Sequence, residues 1–237
     1  MNRNPLFVLI HSPLVGPLTW TPVAGEMRQR GLDVLVPRLE DTPNSRDPFW
    51  KQHAVAVARS MRDVSESLNL ILVAHSGTGP LLPVIRQSVP NPVDAYVFVD
   101  AGIPKDGATR LDLMKSEDPA WAAQFQQEME SGEQFPTWSF DDLQEVIPDH
   151  TLRRQMMAEL HPRGLDFFNE PIPVFAGWPD APCVYIQFSP MYQKPAAHAR
   201  QKGWLTEEVA GGHFQMLVDP AVVTDRIIET VNKAIAK

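Results

Sequence analysis

The sequence predicts an α/β fold with a doubly wound, mostly parallel sheet and an inserted helical cap. Short apolar segments alternate with helix-like segments over residues 6–99. Because strands that are covered on both faces are apolar throughout, this alternation favours a parallel sheet between two layers of helices. The alternation stops over residues 104–171, where helical spacing occurs without a convincing strand. This block is therefore expected to be an insertion.

Short apolar segments that end at loop-forming residues are predicted to be strands. These segments are residues 6–10, 33–36, 70–73, 95–99, 182–188 and 204–209. The expected organisation has one core formed by residues 1–103 and 172–237, with residues 104–171 as the helical cap. A chain of 237 residues is long enough for this arrangement.

Helices are predicted where apolar residues recur at spacings of three and four. Trp20, Val23 and Met27 show this spacing in the first predicted helix. The predicted helices cover residues 19–30, 49–68, 77–89, 121–129, 152–160 and 218–235. Pro80 suits the first turn of the third helix, whereas Pro83 is expected to bend that helix.

Composition limits the classes of function. The net charge of −8 argues against a nucleic-acid partner, because an acidic surface repels phosphates. No apolar run approaches the ~20 residues that span a bilayer, and no signal peptide is visible, so no membrane partner is expected. The single cysteine, Cys183, fits a cytoplasmic protein. The expected partner is a small-molecule substrate, and a homodimer is left open.

Ser76 is the residue that says most about function. It follows the apolar segment 70–73 closely, has Gly77 beside it, and precedes a helix-like stretch. This layout is typical of a nucleophile elbow, a sharp turn that exposes one hydroxyl at the end of a strand. The motif is imperfect, since Ala74 and Thr78 stand where the usual pattern has glycine.

Other polar residues also follow predicted strands, namely His11, Asp100 and His213. Because ligands bind beyond the carboxyl ends of parallel strands, these side chains are expected near Ser76. The chain order Ser, Asp, His is the triad order of α/β-hydrolases.

The chain resembles the small α/β-hydrolases with a helical cap, in the branch that includes plant-type methylesterases and hydroxynitrile lyases. The similarity covers nearly the whole length. It is carried by Val8-Leu9-Ile10-His11-Ser12, Trp20, Ala74-His75-Ser76-Gly77 and Gly212-His213-Phe214. It implies Ser76 as the nucleophile, His213 as the base and an acid that orients His213.

The acid departs from the commonest pattern of these enzymes. Most of them carry it after the strand that corresponds to residues 183–188, yet residues 189–195 contain no carboxylate. Asp100 ends the preceding predicted strand, where some relatives have their acid. Asp100 is therefore the expected acid, and a Ser–His dyad is the alternative.

The oxyanion hole is a second departure. Its first donor is expected to be the backbone N–H of Gly77. Pro13 stands where the second N–H usually lies, and proline has none. Three arrangements are open. The loop shifts and Leu14 donates, the Ser12 hydroxyl substitutes, or the hole is weaker.

Two histidines, His11 and His75, are expected to position loops by hydrogen bonding. Trp138 is one of several aromatic residues in or near the cap that are candidates to line an apolar substrate pocket. The histidines lack metal-ligand spacing, and no phosphate-loop or dinucleotide pattern occurs, so no metal and no cofactor are expected.

The expected function is cleavage of a small carboxylic ester, lactone or related acyl bond by Ser76, His213 and Asp100. One alternative is a lyase or a C–C bond-cleaving enzyme that uses Ser76 and His213 for proton transfer. Pro13 favours this alternative, because proton abstraction needs less oxyanion stabilisation. Another alternative is a ligand-binding receptor with little turnover.

Overall fold

A single parallel sheet forms the centre of the molecule. The computed structural model describes residues 4–42 and 45–236, and within them six strands lie in the order β2-β1-β3-β4-β5-β6. The strands are β1 (Leu6–Ile10), β2 (Val34–Leu35), β3 (Leu70–His75), β4 (Val93–Val99), β5 (Cys183–Gln187) and β6 (Leu205–Glu208). All neighbouring strands pair in parallel. The predicted α/β class with a doubly wound parallel sheet is confirmed.

Helices cover both faces of this sheet. In chain order they are α1 (Thr21–Gln29), α2 (Phe49–Ser60), α3 (Leu82–Ser88), α4 (Arg110–Glu117), α5 (Pro119–Glu130), α6 (His150–Ala158), α7 (Leu165–Asn169), α8 (Gln193–Gln201), α9 (Gln215–Val218) and α10 (Pro220–Ile235). Helices α1, α9 and α10 share one apolar cluster with the sheet, and α2, α3 and α8 share the cluster on its opposite face.

The central strand β3 shows why the strands are apolar throughout. Ile71 and Val73 pack into the layer of α1 and α10, whereas Leu70, Leu72 and Ala74 pack into the layer of α2 and α3. Successive side chains of a strand point to opposite faces, and here both faces are buried. A polar residue inside β3 would therefore lose its water on either face.

Several boundaries differ from the sequence-based expectation. The predicted helix 77–89 divides into a 3₁₀ turn over Ser76–Leu81 and the α-helix α3. Pro83 then lies in the first turn of α3, where a backbone N–H would have no intrahelical partner, so proline is tolerated there. It does not bend a longer helix. The predicted helix 49–68 ends at Ser60.

Four helices, α4 to α7, lie between β4 and β5. Helix α4 begins at a capping box in which Thr109 and Asp112 bond each other's backbone N–H. Phe125, Phe167 and Phe168 belong to a third apolar cluster within this segment. The division into a core and a cap at residues 104–171 stays a prediction.

In the described part of the chain, no helix combines the length and the apolar composition needed to cross a bilayer. The expectation that no signal peptide is present depends in part on Met1, Asn2 and Arg3, which lie outside the described residues.

Gly79 lies where the turn after β3 meets the chain that follows β4. A Cβ atom at Gly79 would overlap the carbonyl oxygen of Gly102, which is backbone and cannot rotate away. We expect Gly79→Ala to lower the free energy of unfolding by about 1–3 kcal/mol, measured by urea denaturation. Gly25→Ala in α1 is the matched control, because a Cβ there meets nothing within 4 Å. That change should raise stability by roughly 0.5–1 kcal/mol, and equal effects at the two sites would contradict the explanation.

Candidate active site

Ser76 lies on a strained turn at the carboxyl end of β3. Its φ angle is 57°, in the left-handed region that residues other than glycine rarely adopt. Such a conformation persists only where the surrounding structure enforces it. The turn lifts the Ser76 side chain into a cavity beyond the sheet edge. This is the geometry that the sequence pattern around Ser76 predicts.

The neighbours of Ser76 explain the imperfect motif. The Thr78 hydroxyl donates to the backbone carbonyl of His11, so it fastens the turn to the loop after β1. A Cβ atom at Gly77 would lie 3.3 Å from Oγ of Ser12. Glycine at position 77 suits this turn because the same loop approaches it closely there. Threonine at position 78 adds a hydrogen bond that a glycine could not make.

Asp100 follows β4 and is completely buried. Its carboxylate accepts hydrogen bonds from the backbone N–H of Phe188 at 2.6 Å, the N–H of Ser189 at 3.1 Å and the Ser189 hydroxyl at 2.6 Å. The Nδ1 atom of His213 lies 3.1 Å from Oδ2 of Asp100. An ionised carboxylate only accepts, so His213 carries its proton on Nδ1 and leaves Nε2 free to accept another.

The backbone of His213 is held by His75. Nε2 of His75 lies 3.0 Å from the His213 carbonyl oxygen and donates to it, and the two rings are 4.4 Å apart between centroids. Burial lowers the pKa of His75 well below its usual value, and the neighbouring His213 lowers it further. His75 therefore stays neutral while it fixes the loop that carries His213.

Tyr192, which the sequence did not single out as a site residue, lines the cavity beside Ser76. Its hydroxyl oxygen is 3.2 Å from Oγ of Ser76. Its ring stacks on His213, with centroids 5.0 Å apart and planes at 5°. Among the described residues, the hydrogen-bond partner of the Ser76 hydroxyl is Tyr192 and not His213. The available signal was position, because Tyr192 follows a predicted strand at its carboxyl end.

The loop after β1 positions the Ser12 hydroxyl beside Gly77. The N–H of Leu14 points at Oγ of Ser12 over 3.4 Å, so this N–H is not directed into the cavity. Because Oγ of Ser12 accepts from Leu14, its own proton is free to donate. Of the three arrangements left open by Pro13, this geometry favours the Ser12 hydroxyl as the second oxyanion donor.

His11 lies behind this loop. Its Nδ1 donates to the carbonyl of Ser12 at 2.8 Å, and its Nε2 accepts from the N–H of Leu39 at 3.1 Å. Burial lowers the pKa of His11 to about 4, so the ring is neutral at physiological pH. His11 does not line the cavity, and its hydrogen bonds support the loop after β1 from the side away from the cavity.

The cavity beside Ser76 has a volume of about 450 Å³. Ser12, Leu14, Gly77, Trp138 and His213 also line it, whereas Asp100 and His11 lie behind its wall. The wall opposite the sheet comes from the α4–α7 segment and is mostly apolar. Its side chains include Met114, Trp121, Phe135, Trp138, Leu143 and Phe168. Most of the sequence-predicted site residues thus meet at one apolar space.

Glu117 adds an ionisable group to this apolar wall. It is the last residue of α4 and lines the cavity. Burial raises the pKa of its carboxyl to about 7, although the positive charge of Lys194 acts in the opposite direction. The carboxyl therefore changes charge near physiological pH.

Residues 4–42 and 45–236 contain no group of three or more His, Cys, Asp or Glu side chains that could hold a metal ion. The expectations of no metal and no cofactor stay predictions.

Comparison with known proteins gives structural matches. No family model and no curated protein sequence matches the chain. An extracellular α/β-hydrolase from a Paenibacillus species, described as sharing structural and functional homology with tobacco salicylic acid binding protein 2, is 18% identical, with a TM-score of 0.74 over 95% of this chain and 98% of that chain. Tomato methylketone synthase I in complex with 2-tridecanone is 15% identical, with a TM-score of 0.74 over 98% of this chain and 100% of that chain.

A pyrethroid hydrolase from Sphingobium faniae is 17% identical, with a TM-score of 0.71 over 97% of this chain and 98% of that chain. Each of these matches covers 95% or more of this chain. The resemblance drawn from the sequence is confirmed at the level of the fold, and the chain has the α/β-hydrolase fold.

Proposed function

We propose that the protein is a serine hydrolase that cleaves a small carboxylic ester, lactone or related acyl bond. One observation carries the proposal. Ser76 lies on a strained turn in the same cavity as His213, and Nδ1 of His213 is 3.1 Å from the buried carboxylate of Asp100. A hydroxyl, an imidazole with a free Nε2 and an acid that fixes its tautomer are the parts that acyl transfer needs.

The proposed reaction begins when the Ser76 hydroxyl turns from Tyr192 towards Nε2 of His213. Oγ of Ser76 then attacks the acyl carbon, and its proton passes to Nε2. Asp100 stabilises the imidazolium that forms. The N–H of Gly77 and the hydroxyl of Ser12 donate to the oxyanion. Nε2 next protonates the leaving oxygen, and water repeats the sequence on the acyl-enzyme.

The cavity supports a small and largely apolar substrate. A volume of about 450 Å³ lies within the range of small-molecule sites. Its aromatic wall favours an apolar acyl or alcohol group, and a small molecule is therefore the proposed partner.

Cys183 is buried, and a single unpaired thiol is compatible with the cytoplasmic location that we propose.

A lyase or C–C bond-cleaving reaction is the second candidate. The contact that favours this reaction is the 3.2 Å hydrogen bond between Ser76 and Tyr192. Because Ser76 bonds Tyr192, Nε2 of His213 is not bonded to the serine and can face a substrate. In this alternative His213 abstracts a proton from the substrate, and the hydroxyls of Ser76 and Tyr192 donate hydrogen bonds to the substrate. A receptor with little turnover would share the cavity but would not need an activated serine.

Covalent labelling separates these candidates. We expect a fluorophosphonate to label Ser76 rapidly, because an activated serine attacks phosphorus as it attacks an acyl carbon. Ser76→Ala should abolish both labelling, measured by intact mass, and turnover of p-nitrophenyl esters. Ser88→Ala in α3, whose hydroxyl donates to the carbonyl of Val84, is the matched control and should keep both. Unchanged turnover in Ser76→Ala would end the proposal, and an inert Ser76 with tight ligand binding would favour the receptor.

The role of Asp100 can be tested by removing its charge. We expect Asp100→Asn to lower kcat by ~10⁴-fold, because the amide no longer holds the required tautomer of His213. Asp180→Asn is the control, since Asp180 bonds Tyr96 and Arg86 outside the cavity and should leave kcat within about threefold. Circular dichroism checks that both variants fold. A small effect of Asp100→Asn would favour a Ser–His dyad.

Two of the three arrangements left open by Pro13 make opposite predictions for Ser12→Ala. If the Ser12 hydroxyl is the second oxyanion donor, Ser12→Ala should lower kcat by about 10²–10³-fold with little change in KM. If Leu14 donates directly, the same change frees the Leu14 N–H and kcat should not fall. Steady-state kinetics on one p-nitrophenyl ester measures the difference.

Glu117 should make the binding of acidic substrates depend on pH. As the pH rises from about 6 to about 8, the carboxyl ionises and repels an anionic ester, so KM should rise roughly fivefold. A neutral ester of equal size should not show this rise, whereas a pH effect on the reaction itself would change both substrates alike. Glu117→Gln should abolish the difference, and the exposed Glu130→Gln should keep it. A difference that survives in Glu117→Gln would contradict the role of Glu117.

A further inference from the structure

Tyr192 belongs to the described site but has no part in the triad. We propose that Tyr192 is a further catalytic residue, whose phenol hydroxyl donates a hydrogen bond to the leaving-group oxygen while the acyl bond breaks. This role rests on the proposed hydrolase function. It would give the enzyme activity on esters with poor leaving groups, such as alkyl esters.

The two contacts of Tyr192 define where its hydroxyl acts. Its oxygen is 3.2 Å from Oγ of Ser76, and its ring lies parallel to the ring of His213. The hydroxyl is therefore on the imidazole side of the nucleophile. Oγ of Ser12 instead lies beside Gly77. Because His213 protonates the leaving oxygen, that oxygen must come within hydrogen-bond reach of the imidazole, next to the Tyr192 hydroxyl.

The position of Tyr192 is fixed by the same carboxylate that fixes His213. Tyr192 ends the 3₁₀ turn Pro190–Tyr192, and its N–H donates to the carbonyl of Ser189 at 3.2 Å. Ser189 in turn donates its N–H and its hydroxyl to Asp100. The phenol and the imidazole are thus oriented before substrate arrives, which is what electrostatic catalysis requires.

Tyr192 acts as a donor and not as a base. Burial raises the pKa of its phenol and the charges of Asp100 and Glu117 raise it further, although the hydrogen bond with Ser76 acts in the opposite direction. The hydroxyl keeps its proton at physiological pH. Before the reaction it shares a hydrogen bond with the Ser76 hydroxyl, and it becomes free to donate elsewhere once Ser76 turns towards His213.

The step balances without another reagent. The bond between Oγ of Ser76 and the acyl carbon forms, and the serine proton moves to Nε2 of His213. The bond to the leaving oxygen then breaks, and its electron pair stays on that oxygen, which takes the proton from Nε2. Tyr192 stabilises the negative charge on the leaving oxygen through a hydrogen bond and retains its own proton throughout.

Leaving-group dependence tests this role. The variant Tyr192→Phe keeps the ring that stacks on His213 and removes only the hydroxyl. Acetate esters of p-nitrophenol, phenol, trifluoroethanol and ethanol share one acyl group and differ in the leaving oxygen. We expect Tyr192→Phe to lower kcat/KM by about 10–100-fold for the ethyl ester. For the p-nitrophenyl ester, whose leaving oxygen needs little help, the loss should stay below about threefold.

Tyr96→Phe is the matched control, because the chain has three tyrosines and the Tyr96 hydroxyl bonds Asp180 away from the cavity. It should not change the dependence on the leaving group. An equal loss for all four esters in Tyr192→Phe would show that Tyr192 only positions its neighbours. A gain in rate would show that it restrains Ser76. Either result overturns the proposal.

The proposed function and this role fail in different ways. If the wild-type protein hydrolyses none of the esters, or does so without dependence on Ser76, the hydrolase function fails and the role of Tyr192 falls with it. If hydrolysis depends on Ser76 but the slope against leaving-group pKa is the same in wild type and Tyr192→Phe, the role of Tyr192 alone is wrong.

Discussion

The buried carboxylate of Asp100 is the constraint on which the arrangement of the site depends. A charge without exposure to water must be met by hydrogen-bond donors, because an unpaired buried carboxylate would cost several kcal/mol. Its donors are Phe188 and Ser189 after β5 and His213 after β6. The carboxylate at the end of β4 therefore holds two loops that are distant in sequence at the same end of the sheet. The first loop carries Tyr192, and the second carries the imidazole.

Particular elements show how much the sequence could predict. The sheet was predictable because β3 and its neighbours are buried on both faces, so their apolar character is continuous. The turn at Ser76 was predictable because its requirements are local. Helices α4, α7, α8 and α9 were not predicted, since α4 depends on a capping box and α7 and α9 have only five and four residues. Tyr192 could not be assigned, because its contact with Ser76 joins residues 116 positions apart and a tyrosine after a strand has no signature of its own.

The α4–α7 segment buries a charged pair beside its apolar wall, and the two charges neutralise each other within the protein. Nη1 of Arg110 bonds Glu170, whereas its Nε and Nη2 have no hydrogen-bond partner among the described residues. Arg110 lies 2.8 Å from Glu170 and 3.8 Å above the ring of Phe167. Glu170 also accepts the N–H groups of Phe49 and Trp50 at the start of α2. Those N–H groups have no intrahelical partner, so one carboxylate caps α2 and neutralises Arg110. The same contacts attach the end of the segment to the first turn of α2.

The groups around the reacting atoms separate the two charges that the proposed reaction creates. A positive charge forms on His213, beside Asp100 and against His75, which burial keeps neutral. A charged His75 would oppose that step through repulsion at short range. The negative charge on the acyl oxygen instead meets two neutral donors, the N–H of Gly77 and the hydroxyl of Ser12. Fixed dipoles suffice there because the apolar wall excludes water that would compete for the same oxygen. In the proposed reaction the acyl oxygen therefore needs no cation, and we expect the rate of acyl transfer to depend on how firmly the loop after β1 holds Ser12 beside Gly77.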